Sequence, residues 1–338
     1  MTREDAPEPA VCVETPGRLH FGLLDLGGTL GRTFGGIGTA APAPTLLVSA
    51  RRAETLEAEG DDAGRALTFA RRFLTHAGLE NDRARRGARI CVHRTFPSHA
   101  GLGSGTQLAL AVSRALAELN GIAMDAPGLA QAAGRGRRSA IGTWTFAGGG
   151  LVVEGGRRSS GRACVAPLLA RLPFPPAWRC VVVVPDTAAG INGGVEEAAF
   201  AQLPPPPEDD AARVAHLVLM ALLPALVEND LTTFGSTLTE IQAINGRWFA
   251  AVQGGTFAPG PSEALVRRMS DWGAAGVGQS SWGPTVYGIV EGEEHAARLA
   301  DRVRSQLSSS GTAGMVYEGP FRTEGARVWR APVTADIS

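Results

Sequence analysis

The stretch FPSHAGLGSGTQLALAV, residues 96–112, contains the strongest structural signal in the chain. Gly101, Gly103 and Gly105 permit backbone conformations that other residues avoid, and they let an anion approach the main chain closely. The apolar run after Ser104 has helical spacing, and a helix that begins there offers free N–H groups and its positive dipole end. The stretch therefore predicts a phosphate-binding loop before a helix, with a tight packing turn as the alternative.

The rest of the chain alternates short strands and helices, which predicts an α+β protein. Three prolines in residues 171–178 indicate a linker, so the 338 residues divide into domains of residues 1–170 and 171–338. The first domain has strand-like runs and one further helical stretch, at residues 10–15, 45–50, 62–77, 88–94 and 150–156. The second has a buried strand at 179–186, an apolar helical stretch at 211–228, and then a strand, a helix and a strand.

Composition restricts both the chemistry and the setting of the protein. The chain has 32 basic residues and all are arginine, so a Walker loop, which needs lysine, is excluded. The net charge of -1 gives no reason to expect nucleic acid or a membrane surface, and no apolar run approaches the length of a membrane span. The N-terminus is unlike a signal peptide, and the four cysteines lack CxxC spacing. We therefore expect a cytoplasmic protein with reduced thiols at Cys12, Cys91, Cys164 and Cys180.

Two other glycine-rich segments accompany the loop. They are TPGRLHFGLLDLGG, residues 15–28, and GAAGVGQSSWGPTVYGIV, residues 273–290. In this order the three segments resemble the signature motifs of the GHMP superfamily of small-molecule kinases. The resemblance implies a first domain like domain 2 of ribosomal protein S5, a ferredoxin-like second domain, and a ligand between them.

The departures from the kinase pattern concern phosphoryl transfer itself. Mevalonate-kinase-like members have an SG[VI]D segment whose aspartate activates the substrate hydroxyl, and the matching position here is Gly142. Glycine cannot assist deprotonation of a hydroxyl, and the lysine that many of these kinases use is absent from the whole chain. The phosphate cradle is thus retained without the groups that transfer a phosphate.

This combination resembles a non-kinase branch of the superfamily, the β-ribofuranosylaminobenzene 5′-phosphate synthases of tetrahydromethanopterin biosynthesis. That resemblance implies a magnesium-dependent glycosyltransferase that condenses phosphoribosyl diphosphate with 4-aminobenzoate, or 4-hydroxybenzoate in some members, and releases carbon dioxide and diphosphate. The segments that carry it are Pro16–Leu23, Gly36, Gly134–Gly136, Arg138–Ser139, Ile141–Gly142, Ile241–Gln242, Gln253–Gly255 and Gly278–Thr285.

The catalytic candidates follow from this chemistry, in which negative charge develops on the departing diphosphate and positive charge on the ribose. They are Arg18, His20, Asp25 and His99. Each has a structural alternative: ion pairing or packing for Arg18 and His20, a turn cap for Asp25, and an exposed loop position for His99. Decarboxylation replaces loss of a ring proton, so no strong general base is required.

The substrate-binding candidates begin with the loop itself, where Ser104 is also a candidate Mg²⁺ ligand. Gln107 either orients substrate or bonds the backbone, and Trp282 either stacks on the aromatic acid or packs in the core. The complete set is Gly101, Leu102, Gly103, Ser104, Gly105, Thr106, Gln107, Arg138, Ser139, Asp186, Asn192, Gln253, Gln279, Ser280, Ser281 and Trp282.

Two other functions fit the same motifs. One is an ATP-dependent GHMP kinase with an unusual proton acceptor, and the other is a catalytically silent protein that binds a phosphate or nucleotide. In each case the partners are small molecules, and a homodimer is expected because symmetric dimers are the commonest oligomers.

Overall fold

Two sheets organise the part of the chain that the computed structural model describes, residues 9–159, 165–187, 203 and 206–332. The first sheet has eight strands with the order β12-β1-β2-β4-β3, and β5, β6 and β7 extend it from β2. The second has four strands in the order β11-β8-β10-β9. The strands are β1 (Ala10–Asp25), β2 (Arg32–Arg52), β3 (Leu56–Gly60), β4 (Ala88–Arg94), β5 (Leu151–Glu154), β6 (Arg157–Arg158), β7 (Leu168–Leu172), β8 (Trp178–Pro185), β9 (Gly276–Gln279), β10 (Val286–Glu291), β11 (Gly314–Pro320) and β12 (Arg327–Ala331).

Helices cover these sheets. A π-helical segment, Val218–Leu222, lies between an α-helix that ends at Leu217 and one that begins at Leu223. The α-helices are α1 (Ala63–His76), α2 (Ser104–Leu119), α3 (Ala126–Ala132), α4 (Ile141–Ala147), α5 (Glu208–Leu217), α6 (Leu223–Val227), α7 (Leu231–Gln253), α8 (Pro261–Asp271) and α9 (Glu293–Ser309).

The helix predicted after the glycine loop is confirmed as α2. It starts at Ser104, directly after Gly103 with φ 77°, and Leu108, Val112 and Leu116 are buried along it. The helix packs on β1, β2 and α1. Its apolar face thus fixes the glycine loop against the first sheet.

Two irregularities in the pairing of β1 with β2 shape the region around the second glycine-rich segment. The register shifts between Pro16 and Arg18 and again between His20 and Gly22. Beyond the second shift, Asn245 of α7 accepts a hydrogen bond from the Leu23 amide and donates one to the Leu23 carbonyl. Helix α7 is therefore tied to the end of β1 and joins the two halves of the chain.

The boundary between the halves is a packed aromatic cluster. The proline-rich connection between β7 and β8 carries Phe174, whose ring stacks on Phe321 at 3.7 Å and meets Phe234 edge-on at 5.9 Å. The buried strand predicted at 179–186 is confirmed as β8. Strand β12 then returns to the first sheet, where it pairs with β1 and forms an edge of the sheet.

The apolar helical stretch predicted at 211–228 is confirmed, but the expectation that no segment reaches membrane-spanning length is wrong. Residues 208–227 form one helix that is long and apolar enough to cross a membrane by length and composition alone. Four charged residues, Glu208, Asp209, Asp210 and Arg213, lie in the first six positions of this stretch, so its uncharged run begins only at Val214. Buried core helices of soluble proteins meet the same criterion, and a third of the window is buried here.

The cysteines within the described residues, Cys12, Cys91 and Cys180, are free thiols. Cys164 lies outside the described residues. Burial raises the pKa of the Cys12 and Cys180 thiols, which keeps them protonated and unreactive.

Candidate functional site

The third glycine-rich segment, residues 273–290, hydrogen-bonds to the glycine loop at 97–103. The Thr285 amide donates to the Ala100 carbonyl at 3.1 Å, and the Ser280 hydroxyl donates to the Gly101 carbonyl at 2.7 Å. A Cβ on residue 283 would lie 2.1 Å from the Ala100 backbone, so only glycine permits this approach. The loop from the second sheet thus fixes the loop before α2.

Strand β1 contributes the other wall of this site. The Arg18 amide donates to the Leu102 carbonyl at 2.8 Å, and the Arg18 guanidinium bonds the Gly101 carbonyl. Its side chain lies beside Gly103, where a Cβ would be 2.9 Å from Arg18 Cγ. The His20 amide donates to the Ser280 hydroxyl at 3.0 Å. The three glycine-rich segments predicted from the sequence therefore meet at one place.

The His20 ring is buried, and its environment keeps it neutral. Burial, together with the positive charge of Arg18, lowers the pKa of His20 to about 3. Its Nε2 lies 3.3 Å from the Ser139 hydroxyl, within hydrogen-bonding distance. At neutral pH the imidazole is uncharged, so it can position Ser139 but cannot act as an imidazolium acid.

Glu154 is a site residue that the sequence reasoning missed. Its fully buried carboxylate accepts from the Gly156 amide at 2.7 Å and from the Ala140 amide at 3.2 Å, and burial raises its pKa. A Cβ on residue 36 would lie 3.1 Å from Glu154 Oε1 and 3.4 Å from His20 Nε2, so the two side chains meet over Gly36. The only available signal was a glutamate at the end of an apolar strand, just before two glycines.

Gln107 connects three elements beneath the loop. Its Oε1 accepts from the Thr15 hydroxyl at 2.7 Å, and its Nε2 donates to the Gly142 carbonyl at 2.9 Å. The side chain is fully buried. A Cβ on residue 142 would lie 3.0 Å from Thr106 Cγ2 and 3.4 Å from Gln107 Nε2. The position where a kinase of this superfamily has its aspartate is therefore packed against the first turn of α2.

The glutamines of the second half mainly hold loops together. Gln279 accepts from the Ala258 amide at 2.6 Å and donates to the Ser281 carbonyl at 2.9 Å. Gln253 donates to two main-chain carbonyls, those of Gly255 and Thr256, both at 2.8 Å. These bonds connect residues 253–258 with residues 279–281, and Ser280 in turn contacts the glycine loop.

Trp282 packs inside this assembly. It is 8% exposed, and its ring lies 4.6 Å from that of Phe249 with an edge-on geometry. This contact corresponds to the core-packing alternative for Trp282, because little of the indole face is left for a ligand.

The other candidates occupy different settings. Asp25 accepts from the Gly27 amide at 2.6 Å, the geometry of a turn cap. His99 is exposed, with φ 62°, and Asp186 is exposed just beyond β8. Arg138 immediately precedes Ser139 in the segment before α4 and is half-buried. Asn192 lies outside the described residues.

The donor set bears on a magnesium ion. Within the described part of the chain, no three His, Cys, Asp or Glu side chains form a group that could hold a metal. The hydroxyl of Ser104, at the first position of α2, lies beside the loop. Mg²⁺ often takes most of its ligands from phosphate and water. A magnesium ion that arrives with a phosphorylated substrate would need few protein ligands here, and Ser104 is the candidate among them.

Comparison with known proteins identifies two matching domain families and several sequence relatives. The GHMP kinases N terminal domain matches residues 65–149, and the GHMP kinases C terminal domain matches residues 222–309. A protein of Archaeoglobus fulgidus named beta-ribofuranosylphenol 5′-phosphate synthase is 38% identical over 88% of this chain and 93% of its own. One of the same name from Methanothermobacter thermautotrophicus is 34% identical over 82% and 88%.

Solved structures show the same fold at low sequence identity. Homoserine kinase from Cytophaga hutchinsonii superposes with a TM-score of 0.71 at 18% identity, covering 97% of this chain and 99% of its own. A mevalonate kinase superposes with a TM-score of 0.64 at 13% identity, covering 93% and 99%. The two-domain GHMP-kinase fold predicted from the sequence is confirmed.

Proposed function

The chain belongs to the family of β-ribofuranosylphenol 5′-phosphate synthases, and we propose that it condenses 5-phosphoribosyl 1-diphosphate with a para-substituted benzoate. The products are a C-riboside 5′-phosphate, as used in tetrahydromethanopterin biosynthesis, carbon dioxide and diphosphate. The relatives are named for a phenol product, which corresponds to 4-hydroxybenzoate as acceptor. The amino analogue, 4-aminobenzoate, is the other acceptor that the same chemistry accommodates.

The reaction exchanges one bond at the ribose and one at the aromatic ring. The bond from C1 to the diphosphate oxygen breaks, and its electron pair leaves with the diphosphate. The ring carbon that carries the carboxylate bonds to C1. The electrons of the bond between the ring and the carboxylate then restore aromaticity as carbon dioxide leaves. The principal demand on the protein is fixed positive charge where the diphosphate departs.

The residues around the glycine loop suit that demand. The N-terminus of α2 and the loop amides offer hydrogen-bond donors to an anion. Arg18 lies along Gly103 with its guanidinium at the loop, so it can contact a bound diphosphate. His20 and Glu154 contact Ser139 and the amide of Ala140, and they position the segment before α4.

The observation that carries this proposal is an intact phosphate loop beside position 142, a glycine that supplies no carboxylate and is tightly packed. A kinase of this superfamily needs a carboxylate near the accepting hydroxyl, and here Thr106 and Gln107 fill the space beside Gly142. A condensation that loses carbon dioxide requires no such base. The site therefore supports departure of diphosphate better than transfer of a phosphate from ATP.

Three further properties belong to the same proposal. A magnesium ion bound by Ser104 and the diphosphate would neutralise charge on the leaving group. The protein acts in the cytoplasm. It forms a homodimer, the commonest symmetric assembly.

The test is release of labelled carbon dioxide. The purified protein is incubated with Mg²⁺, phosphoribosyl diphosphate and carboxyl-labelled 4-hydroxybenzoate or 4-aminobenzoate, without ATP. We expect release with at least one acceptor and a lower rate for Arg18→Ala and Ser104→Ala. Arg71→Ala, which removes an exposed charge from α1, is the matched control and should keep the wild-type rate.

Each contrary outcome would point to a different function or refute a different part of the proposal. ATP turnover with a small alcohol and no carbon dioxide would indicate a kinase. Binding of phosphate compounds with neither activity would indicate a silent binder. Unchanged kinetics in both Arg18→Ala and Ser104→Ala would refute the assignment of the loop as the diphosphate site.

A further inference from the structure

Two arginines from distant parts of the sequence converge on the first turn of α2. The terminal nitrogens of Arg135 and Arg65 lie 2.1 Å and 2.8 Å from the point where a Cβ on residue 105 would lie. Arg65 belongs to α1, and Arg135 lies between α3 and α4. Both side chains are half-buried, so a ligand from solvent can reach them.

The position of Arg65 is fixed by its other terminal nitrogen. Nη1 donates to Asp62 Oδ2 at 3.1 Å and to the Ser98 hydroxyl at 2.6 Å. Ser98 lies in the glycine loop itself. These bonds leave Nη2 as the nitrogen that lies nearest Gly105. Arg65 is thus oriented by the loop beside which it lies.

The position of Arg135 is fixed by the backbone and by an aromatic ring. Gly134 and Gly136 on either side adopt φ of 69° and 76°, the left-handed region that glycine favours, so the chain turns sharply at Arg135. Its guanidinium lies over the Phe69 ring, 5.3 Å from the centroid. Phe69 is one helical turn from Arg65 on α1, so a single face of α1 supports both arginines.

This convergence has a physical consequence. Two guanidinium groups remain positively charged at any physiological pH, and here they meet at the positive end of a helix. The first turn of α2 contains no acidic residue. Asp62 contacts Arg65 through Nη1, whereas Nη2 is the nitrogen nearest Gly105. The local charge therefore favours an anion between the two guanidiniums, and paired arginines are well suited to phosphate oxygens.

We propose that Arg65 and Arg135 form a two-arginine clamp for a phosphate group of the substrate, beside Gly105 at the first turn of α2. This inference rests on the proposed function, because the phosphate that it assigns belongs to the proposed substrate. The phosphate is either the diphosphate or the 5′-phosphate of phosphoribosyl diphosphate. Both are dianionic or more highly charged, and the experiment distinguishes them.

The test measures binding separately from turnover. Full-length wild type, Arg65→Gln and Arg135→Gln are titrated calorimetrically with inorganic diphosphate and with ribose 5-phosphate. Each variant should bind at least one probe about tenfold more weakly, the scale of losing a charged hydrogen bond. The probe that loses affinity identifies the phosphate. Arg71→Gln, with the same change of charge at an exposed position of α1, should bind as wild type does.

Arg135→Lys keeps the charge but not the planar fork, and it should recover part of the lost affinity. Its thermal unfolding, compared with that of Arg135→Gln, separates a binding defect from a folding defect. The clamp is refuted if wild type binds neither probe, or if Arg65→Gln and a folded Arg135 variant bind both probes with wild-type affinity.

The two proposals can fail independently. If the variants lose affinity for diphosphate while no acceptor yields carbon dioxide, the clamp stands and the proposed reaction is wrong. If wild type releases carbon dioxide and the Arg65 and Arg135 variants keep its KM for phosphoribosyl diphosphate, the reaction stands and the clamp is wrong.

Discussion

Replacing Gln107 with leucine tests whether this residue stabilises the fold through a buried polar connection rather than by orienting substrate. The Thr15 hydroxyl and Gln107 Oε1 are 2.7 Å apart, and both side chains are fully buried. Leucine fills most of the volume but accepts no hydrogen bond, so the Thr15 hydroxyl loses its acceptor. The Gly142 carbonyl is affected less, because the Thr145 hydroxyl also donates to it at 3.3 Å.

The expected loss is about 2 kcal/mol of unfolding free energy, most of it from the unsatisfied Thr15 hydroxyl. Urea unfolding followed by tryptophan fluorescence measures it as a lower midpoint with an unchanged slope. In the double variant with Thr15→Val, the orphaned hydroxyl is absent, so about 1 kcal/mol should be recovered relative to the sum of the single changes.

Strictly additive single changes would refute this account of Gln107. The KM for phosphoribosyl diphosphate should stay at the wild-type value in Gln107→Leu below its unfolding temperature. A large rise in KM without loss of stability would instead restore the reading in which Gln107 orients substrate.

Three other predictions address buried groups near the site. The folded-state pKa of His20, about 3, lies below the ordinary 6.5, so protonation favours the unfolded chain. As the pH falls below 6.5, the wild-type free energy of unfolding should drop by up to about 1.4 kcal/mol per pH unit. Thermal unfolding across that range should show a smaller drop for His20→Gln. Glu154→Gln places an amide where a carboxylate accepts from Gly156, and it should cost about 2 kcal/mol in urea unfolding and lower kcat through the segment before α4. The buried Tyr287 hydroxyl has no hydrogen-bond partner within the described residues, so Tyr287→Phe should raise the unfolding free energy by about 1 kcal/mol, measured in the same way.

The sequence predicted the parts of the site that depend on local chain properties. Glycine spacing and apolar periodicity are local, and they correctly located the loop, the start of α2 at Ser104 and the strand β8. The meeting of the three glycine-rich segments came from the family resemblance. Contacts of Ala100 and Gly101 with residues 280–285 bear it out.

What the sequence could not show is which polar groups satisfy one another. Gln253 and Gln279 resembled ligand-binding residues, yet their amides bond neighbouring main-chain groups. Arg65 is not among the sequence-based candidates, because it lies far from the loop in sequence and reaches it only through the packing of α1 on α2. Glu154 lay within an apolar strand, and only the fold brings the Ala140 and Gly156 amides to its carboxylate.

Gly142, at the position of the kinase aspartate, lies directly against the helix that follows the phosphate loop. The atoms that crowd position 142 belong to Thr106 and Gln107, in the first turn of α2. A side chain placed there would press on the Thr106 and Gln107 side chains in that turn. A decarboxylating condensation is compatible with this packing because it needs stabilised anions rather than a base. A chain whose basic residues are all arginine meets that need with charges that do not titrate near neutral pH.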